Sequence, residues 1–223
     1  MDYSAIGNVL GHNSSADNRS AKILKEWDNL SAKFERMVVV GNGRTETARL
    51  AYAVLLIMET AIRVGNEESA EGRVSINKWS PNFGQSVQTY GVTTLRNSHV
   101  VKCEAGLHLT FVGKKAVEQK LFTDNPTLKE YCPQGPADEL WLGIEYPTLF
   151  AFVKRCVGDA FTPKDIRRAK VNKVFLELLS EVETVNKKTI RSLIEKTAEI
   201  IGHTKAVCKR SYLSPILLEA IGG

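Results

Sequence analysis

The chain has 223 residues, 43% of them hydrophobic and 25% charged, which is length enough for a substantial buried core and an ordinary balance for a globular rather than a disordered protein. Its formal net charge of +5 is concentrated: residues 160–215 hold 12 Lys and Arg against 6 Asp and Glu, whereas the rest of the chain holds 18 against 19. A local excess of this kind neutralises phosphates as readily as it solvates a helical face, so it hints at a polyanionic partner without defining one.

The most apolar stretch, Leu50 to Ile62, is interrupted by Glu59 and is too short to cross a bilayer. The first residues, Met-Asp-Tyr-Ser, lack the basic region and apolar run of a secretory signal, so an intracellular protein without membrane attachment is expected. Cys103, Cys132, Cys156 and Cys208 show no Cys-x-x-Cys spacing and read as free thiols rather than disulfides or a zinc site.

In chain order, residues 1–20 are polar, without helical or strand period, and read as a flexible tail; residues 21–223 then form one domain. From Arg44 to Arg63, Ala51, Val54, Leu55, Met58 and Ile62 recur at helical spacing, with Gly65 placed to end a helix that carries Arg63 in its last turn. The runs YGVTTL, HVVKC, LHLTF and AVEQKLF predict a small antiparallel sheet, with Lys114 and Lys115 at a hairpin tip. A Pro- and Gly-containing loop at 124–137 leads to a helical remainder. Thr162 and Pro163 open one helix with an apolar stripe of Ile166, Val174, Leu178 and Val182. Another runs from Thr189 to Ile201 and stops at Gly202, and Pro215 interrupts the last helical stretch just after Tyr212. The fold class is α+β, mostly helical with a small antiparallel sheet.

There is no Walker phosphate loop, no G-x-G-x-x-G after a strand and no H-E-x-x-H, so neither ATP, a dinucleotide nor zinc is expected, and no cofactor. What remains is a scattered set of cations with one His and one Tyr, suited to phosphoryl transfer assisted by fixed positive charge. Taken alone, each has an ordinary structural explanation. Arg63 complements a helix dipole, Lys114 solubilises a turn, His203 caps a helix and Tyr212 packs. Lys164, Arg167 and Arg168 stand at i, i+3 and i+4, on one face near a helix N-terminus, where backbone N–H groups also favour anions.

Taken together, AIRVGNEESA, YGVTTLRNSHV, FVGKK, PKDIRRAKVN and GHTKAVCKRSYLSP resemble, in the same order, the five regions that build the active site of poxvirus-like and bacterial type IB DNA topoisomerases. The resemblance covers roughly residues 27–220. Nine residues separate His203 from Tyr212. On an uninterrupted helix that places them about half a turn out of phase, at ~3.6 residues per turn, so the backbone must bend for both to face one phosphate. Gly202 makes such a break credible.

The resemblance implies a tyrosine recombinase/topoisomerase IB catalytic fold, without the family's usual N-terminal clamp domain. It also implies that Tyr212 is the nucleophile, Arg63 and Arg167 stabilise the phosphate oxygens, His203 donates a further hydrogen bond and Lys114 is the general acid. Lys115, Lys164, Arg168 and Lys209 are the expected DNA-binding residues. Double-stranded DNA is then the substrate, relaxed through a 3′-phosphotyrosyl intermediate without ATP or metal by a monomer associated with DNA in the cytoplasm, the nucleoid or a virus. Two departures stand out: SAEGRVSINKWSPNFGQSVQT is longer than the corresponding family segment, and Arg168-Ala169 stands where the family usually has Thr and an aromatic. Tyrosine recombinases resemble the same pattern but typically show His-x-x-Arg where this chain has Lys164-x-x-Arg167. A noncatalytic DNA-binding module is the third reading.

Overall fold

The structure, a computed structural model, describes residues 15–74 and 84–222, with the backbone alone for Arg73, Lys115 and Ile216. Helices α1 (Ser15–Lys25), α2 (Trp27–Val40) and α3 (Glu46–Thr60) come first, followed by the short α4 (Glu67–Glu71) and a two-stranded ribbon of β1 (Arg73–Val74) and β2 (Ser86–Val87). A three-stranded antiparallel sheet follows, in the order β3 (Val100–Lys102), β4 (Leu107–Gly113) and β5 (Val117–Thr123). The rest is helical: α5 (Pro126–Glu130), α6 (Tyr146–Val157), α7 (Pro163–Ser180), α8 (Lys187–Ile200), α9 (Lys205–Ser211) and α10 (Pro215–Ala220). This is the expected α+β class. Among the described residues no helix is long and apolar enough to cross a membrane, and all four cysteines are free.

Helix α3 is the centre of the core. Thr45 caps its start, with its hydroxyl accepting from the Ala48 N–H at 3.2 Å. Tyr52, Val54, Leu55, Leu56, Ile57 and Met58 are all buried, so the helix has no solvent stripe and is enclosed by α2, α6 and α7. It is shorter than the sequence implies. Ala61, at φ 53°, takes the left-handed conformation that ends the helix, and Arg63 therefore lies beyond its last turn. The terminus lies at Ala61, before Gly65.

A second correction concerns the N-terminal segment. Residues 1–14 lie outside the described residues, but Ser15–Lys25 is helical, and Asp17 and Ser20 are buried against α7. The polar composition of residues 15–20 reflects ion pairing rather than solvation: Arg19 Nε donates to Asp165 at 3.0 Å, and Arg168 lies 3.8 Å from Asp17.

The run YGVTTL is a turn rather than a strand. Its hydrogen bonds go to the segment after α3: the Val92 N–H donates to the Arg63 carbonyl at 2.7 Å, and the Thr93 N–H and hydroxyl donate to the Val64 carbonyl at 2.8 and 2.9 Å. A Cβ on Gly91 would collide with the Arg63 carbonyl and the Gly65 backbone, so glycine is required for this approach. The remaining runs are strands in the expected hairpin order, with buried and exposed side chains alternating along β4.

Candidate active site

The loop just described fixes Arg63. The hairpin of β4 and β5, paired in register from Leu107–Thr123 to Gly113–Val117, carries the exposed Lys114 at its tip. Helix α7 supplies Arg167. Its start is set by Asp165, whose carboxylate accepts from the Thr162 N–H at 2.9 Å and from the Thr162 hydroxyl at 2.7 Å.

The segment Gly202-His203-Thr204 joins two helices, and each residue has a separate job. Gly202, at φ +68°, turns the chain out of α8, and the His203 N–H closes that helix on the Ala198 carbonyl at 2.7 Å. Thr204 caps α9 by accepting from the Val207 N–H at 3.3 Å. The phase difference of nine residues is thus resolved differently from the sequence expectation. His203 lies before the cap of α9 and Tyr212 lies after its last residue, so neither is bound to the helical repeat. Their rings stack, with centroids 4.7 Å apart and planes at 23°.

Arg63, Lys114, Arg167, His203 and Tyr212, drawn from five separate segments, line one cleft of about 520 Å³. Arg167, only 6% exposed, is its hub. The guanidinium donates to the Ala61 carbonyl and the Tyr212 hydroxyl, and its remaining nitrogen meets His203 Nε2. The left-handed Ala61 that ends α3 also turns this carbonyl toward Arg167. Because a guanidinium only donates, His203 Nε2 is assigned as acceptor and Nδ1 carries the proton. Burial, then Arg167 and Arg63, push the His203 imidazole down to about 3, so it is neutral at physiological pH. Burial also pulls the Arg167 guanidinium down to about 10, with Arg63 adding and Tyr212 opposing, which leaves it a cation at neutral pH.

Of the four expected DNA contacts, Lys164 lines the cleft rim and Lys209 is exposed on α9 outside it. The Lys115 side chain lies outside the described residues. Arg168 is turned away from the cleft toward the Tyr212 backbone. Arg210, Tyr90 and Gln119 line the cleft and were missed. The signal for Arg210 was present in the sequence: Thr204, Val207 and Arg210 recur every three residues, which puts them on one face of α9. With Arg63, Lys114, Lys164, Arg167 and Arg210 against Glu118, the cleft is strongly cationic. A tyrosine hydroxyl among fixed guanidinium groups can attack a phosphodiester and have the developing charge held without reorganisation.

This arrangement suits tyrosine-based phosphotransfer, on a mostly helical domain. The family model for the catalytic core of eukaryotic DNA topoisomerase I matches residues 22–215, and the chain belongs to that family. Among relatives, DNA topoisomerase I of Monkeypox virus is 28% identical over 146 residues, covering 60% of this chain and 46% of that protein. DNA topoisomerase 1 of Rabbit fibroma virus (strain Kasza) is 30% identical over 145 residues, covering 59% and 45%. DNA topoisomerase 1B of Acanthamoeba polyphaga mimivirus is 26% identical over 161 residues, covering 61% and 48%. The chain spans less than half the length of these relatives.

Proposed function

We propose that the chain relaxes supercoiled double-stranded DNA as a type IB topoisomerase, and that residues 21–223, together with α1, act as its catalytic domain and work as a monomer. The observation that carries this reading is the convergence of Arg63, Lys114, Arg167, His203 and Tyr212 on one cleft. Tyr212 Oη attacks the scissile phosphorus, the bond to the 5′ oxygen breaks and a 3′-phosphotyrosyl link forms. The phenol proton passes to solvent water, and Lys114 supplies one to the departing 5′ oxygen. Arg167 already donates to the tyrosine oxygen, a contact that steadies negative charge as the phenol ionises. Arg63 and Arg167 then hold the nonbridging oxygens with their guanidinium forks, and His203 adds a hydrogen bond from Nε2 once Arg167 turns to the phosphate and the imidazole proton moves to that nitrogen. Lys164, Arg210, Lys209 and Lys115 contact flanking phosphates. After strand rotation the 5′ hydroxyl reverses the step. The phosphotyrosyl bond conserves the energy of the broken linkage, so ATP is not consumed.

Incubation with supercoiled plasmid, without ATP and with EDTA, tests the proposal. Relaxation to a ladder of topoisomers is the expected result. Exchange only between paired target sites establishes a recombinase instead, and a gel shift with neither product leaves a DNA-binding module.

A further inference from the structure

Arg168 departs from the family pattern, and the structure gives it a different role from a phosphate contact. Its Nε donates to the Tyr212 carbonyl at 3.2 Å, and its Nη2 lies 3.8 Å from Asp17 on α1. Both partners are largely buried: the Arg168 side chain is 18% exposed and that of Asp17 5%. The same carbonyl accepts from Asn172 Nδ2 at 2.9 Å, while Asn172 Oδ1 accepts from the Ser214 N–H at 3.1 Å. One turn earlier on α7, Asp165 is held by Arg19, the residue two places after Asp17.

We propose that Arg168 is a positioning residue that, anchored by Asp17 of the N-terminal helix, holds the backbone of Tyr212 in register with Arg167. The inference rests on Tyr212 being the nucleophile. Its physical basis is that Arg167 and Arg168 are neighbours on one rigid helix, one grasping the hydroxyl of Tyr212 and the other its carbonyl. A tyrosine held at both ends has little freedom to leave its line of attack. Helix α1 thereby becomes a support for the site. A carbonyl between two side-chain donors, one of them charged, is held more firmly than one bonded to water.

Single-turnover cleavage of a duplex whose 5′-hydroxyl fragment leaves on cutting, measured with DNA affinity across salt concentrations and with thermal melting, tests the role. Arg168→Ala is expected to slow cleavage by roughly 10- to 100-fold, the scale of a small misplacement of a reacting group. Religation should slow in proportion, because Tyr212 is attacking group in one direction and leaving group in the other, and the salt slope of binding should stay at the wild-type value. Asp17→Asn should slow cleavage by a smaller factor and add nothing in the Arg168→Ala background, since both act through one contact. Arg168→Lys, which retains the charge beside Asp17, should recover part of the rate.

Three outcomes overturn the role: Arg168→Ala cleaving at the wild-type rate, a salt slope reduced by about 0.9, which marks a phosphate contact, or additive effects of Asp17→Asn and Arg168→Ala. If Arg168→Ala does not fold, Asp17→Asn and Arg168→Lys decide the matter on the same assays, and wild-type cleavage rates in both overturn it. A wild-type protein that forms no adduct through Tyr212 removes the proposed function itself, a result separable from all of these.

Discussion

Arg167 holds a backbone carbonyl, the Tyr212 hydroxyl and an imidazole nitrogen at once, and it lies against a buried histidine. Beside it, His203 has its imidazole pushed down to about 3 by burial and then by the two arginines. Nuclear magnetic resonance should therefore find His203 neutral throughout pH 5–8, and a midpoint near the ordinary ~6.5 would contradict the electrostatic account. The linkage has a definite sign. Above pH ~6.5 both folded and unfolded states carry neutral His203, and below it the unfolded state binds a proton that the folded state refuses. Stability is thus lost as pH falls from about 6.5 toward 3, and thermal melts of His203→Gln should show a shallower decline over that window.

Lys114 makes its own prediction at this scale. On the proposed mechanism its loss is felt only where the leaving oxygen needs a proton, so Lys114→Ala should slow cleavage by roughly 10²- to 10⁴-fold. A 5′-phosphorothiolate substrate, whose sulfur leaves without protonation, should recover most of that loss. Failure of the rescue transfers the role to another residue.

Among the elements, the turn 90–95 has the most specific duty, because it holds Arg63 beyond the end of α3 by three hydrogen bonds. Gly91→Ala should push this loop off the Arg63 carbonyl, destabilise the protein by about 1–3 kcal/mol as overpacking does, and depress cleavage. Urea unfolding and a cleavage time course measure the two effects, and a variant with unaltered stability and rate would show that the loop does not hold Arg63.

This loop also shows what was legible in the sequence. The motif at 91–95 was found, but as a strand, because β-branched residues that here form a turn carry the same pattern as residues in a ladder. Gly202 was easier to place, since a helix-ending glycine is local chemistry, whereas the capping role of Thr204 was not read. Arg63 was expected in a helix because a left-handed alanine leaves no mark in hydrophobic periodicity. The helix at 15–20 was missed because its polar residues find their partners, Asp165 and Arg168, some 150 positions away. Long-range ion pairs leave no period.

At the scale of the molecule, one cleft gathers positive charge: among the described residues, five cationic side chains and one carboxylate line it. Each cation that neutralises a phosphate contributes about 0.9 to the slope of log affinity against log salt. Lys164→Ala, on the cleft rim, should lower that slope by about this amount and weaken binding to all sequences alike. An unchanged slope would place DNA elsewhere on the protein. If DNA is held by the cations of this cleft alone, relaxation should also become distributive at modest salt, with partly relaxed plasmids accumulating as a ladder. Coexistence of fully relaxed and untouched plasmid would point to a second grip on DNA.

The central claim is that Tyr212 joins the DNA. Trapping the protein on a duplex whose 5′-hydroxyl fragment departs, digesting it, and sequencing the DNA-linked peptide by mass spectrometry tests this most directly. The account predicts a nucleotide on Tyr212 through a 3′ phosphate, and no adduct in Tyr212→Phe although that variant still binds DNA. An adduct on another residue, or one that persists in Tyr212→Phe, would contradict it.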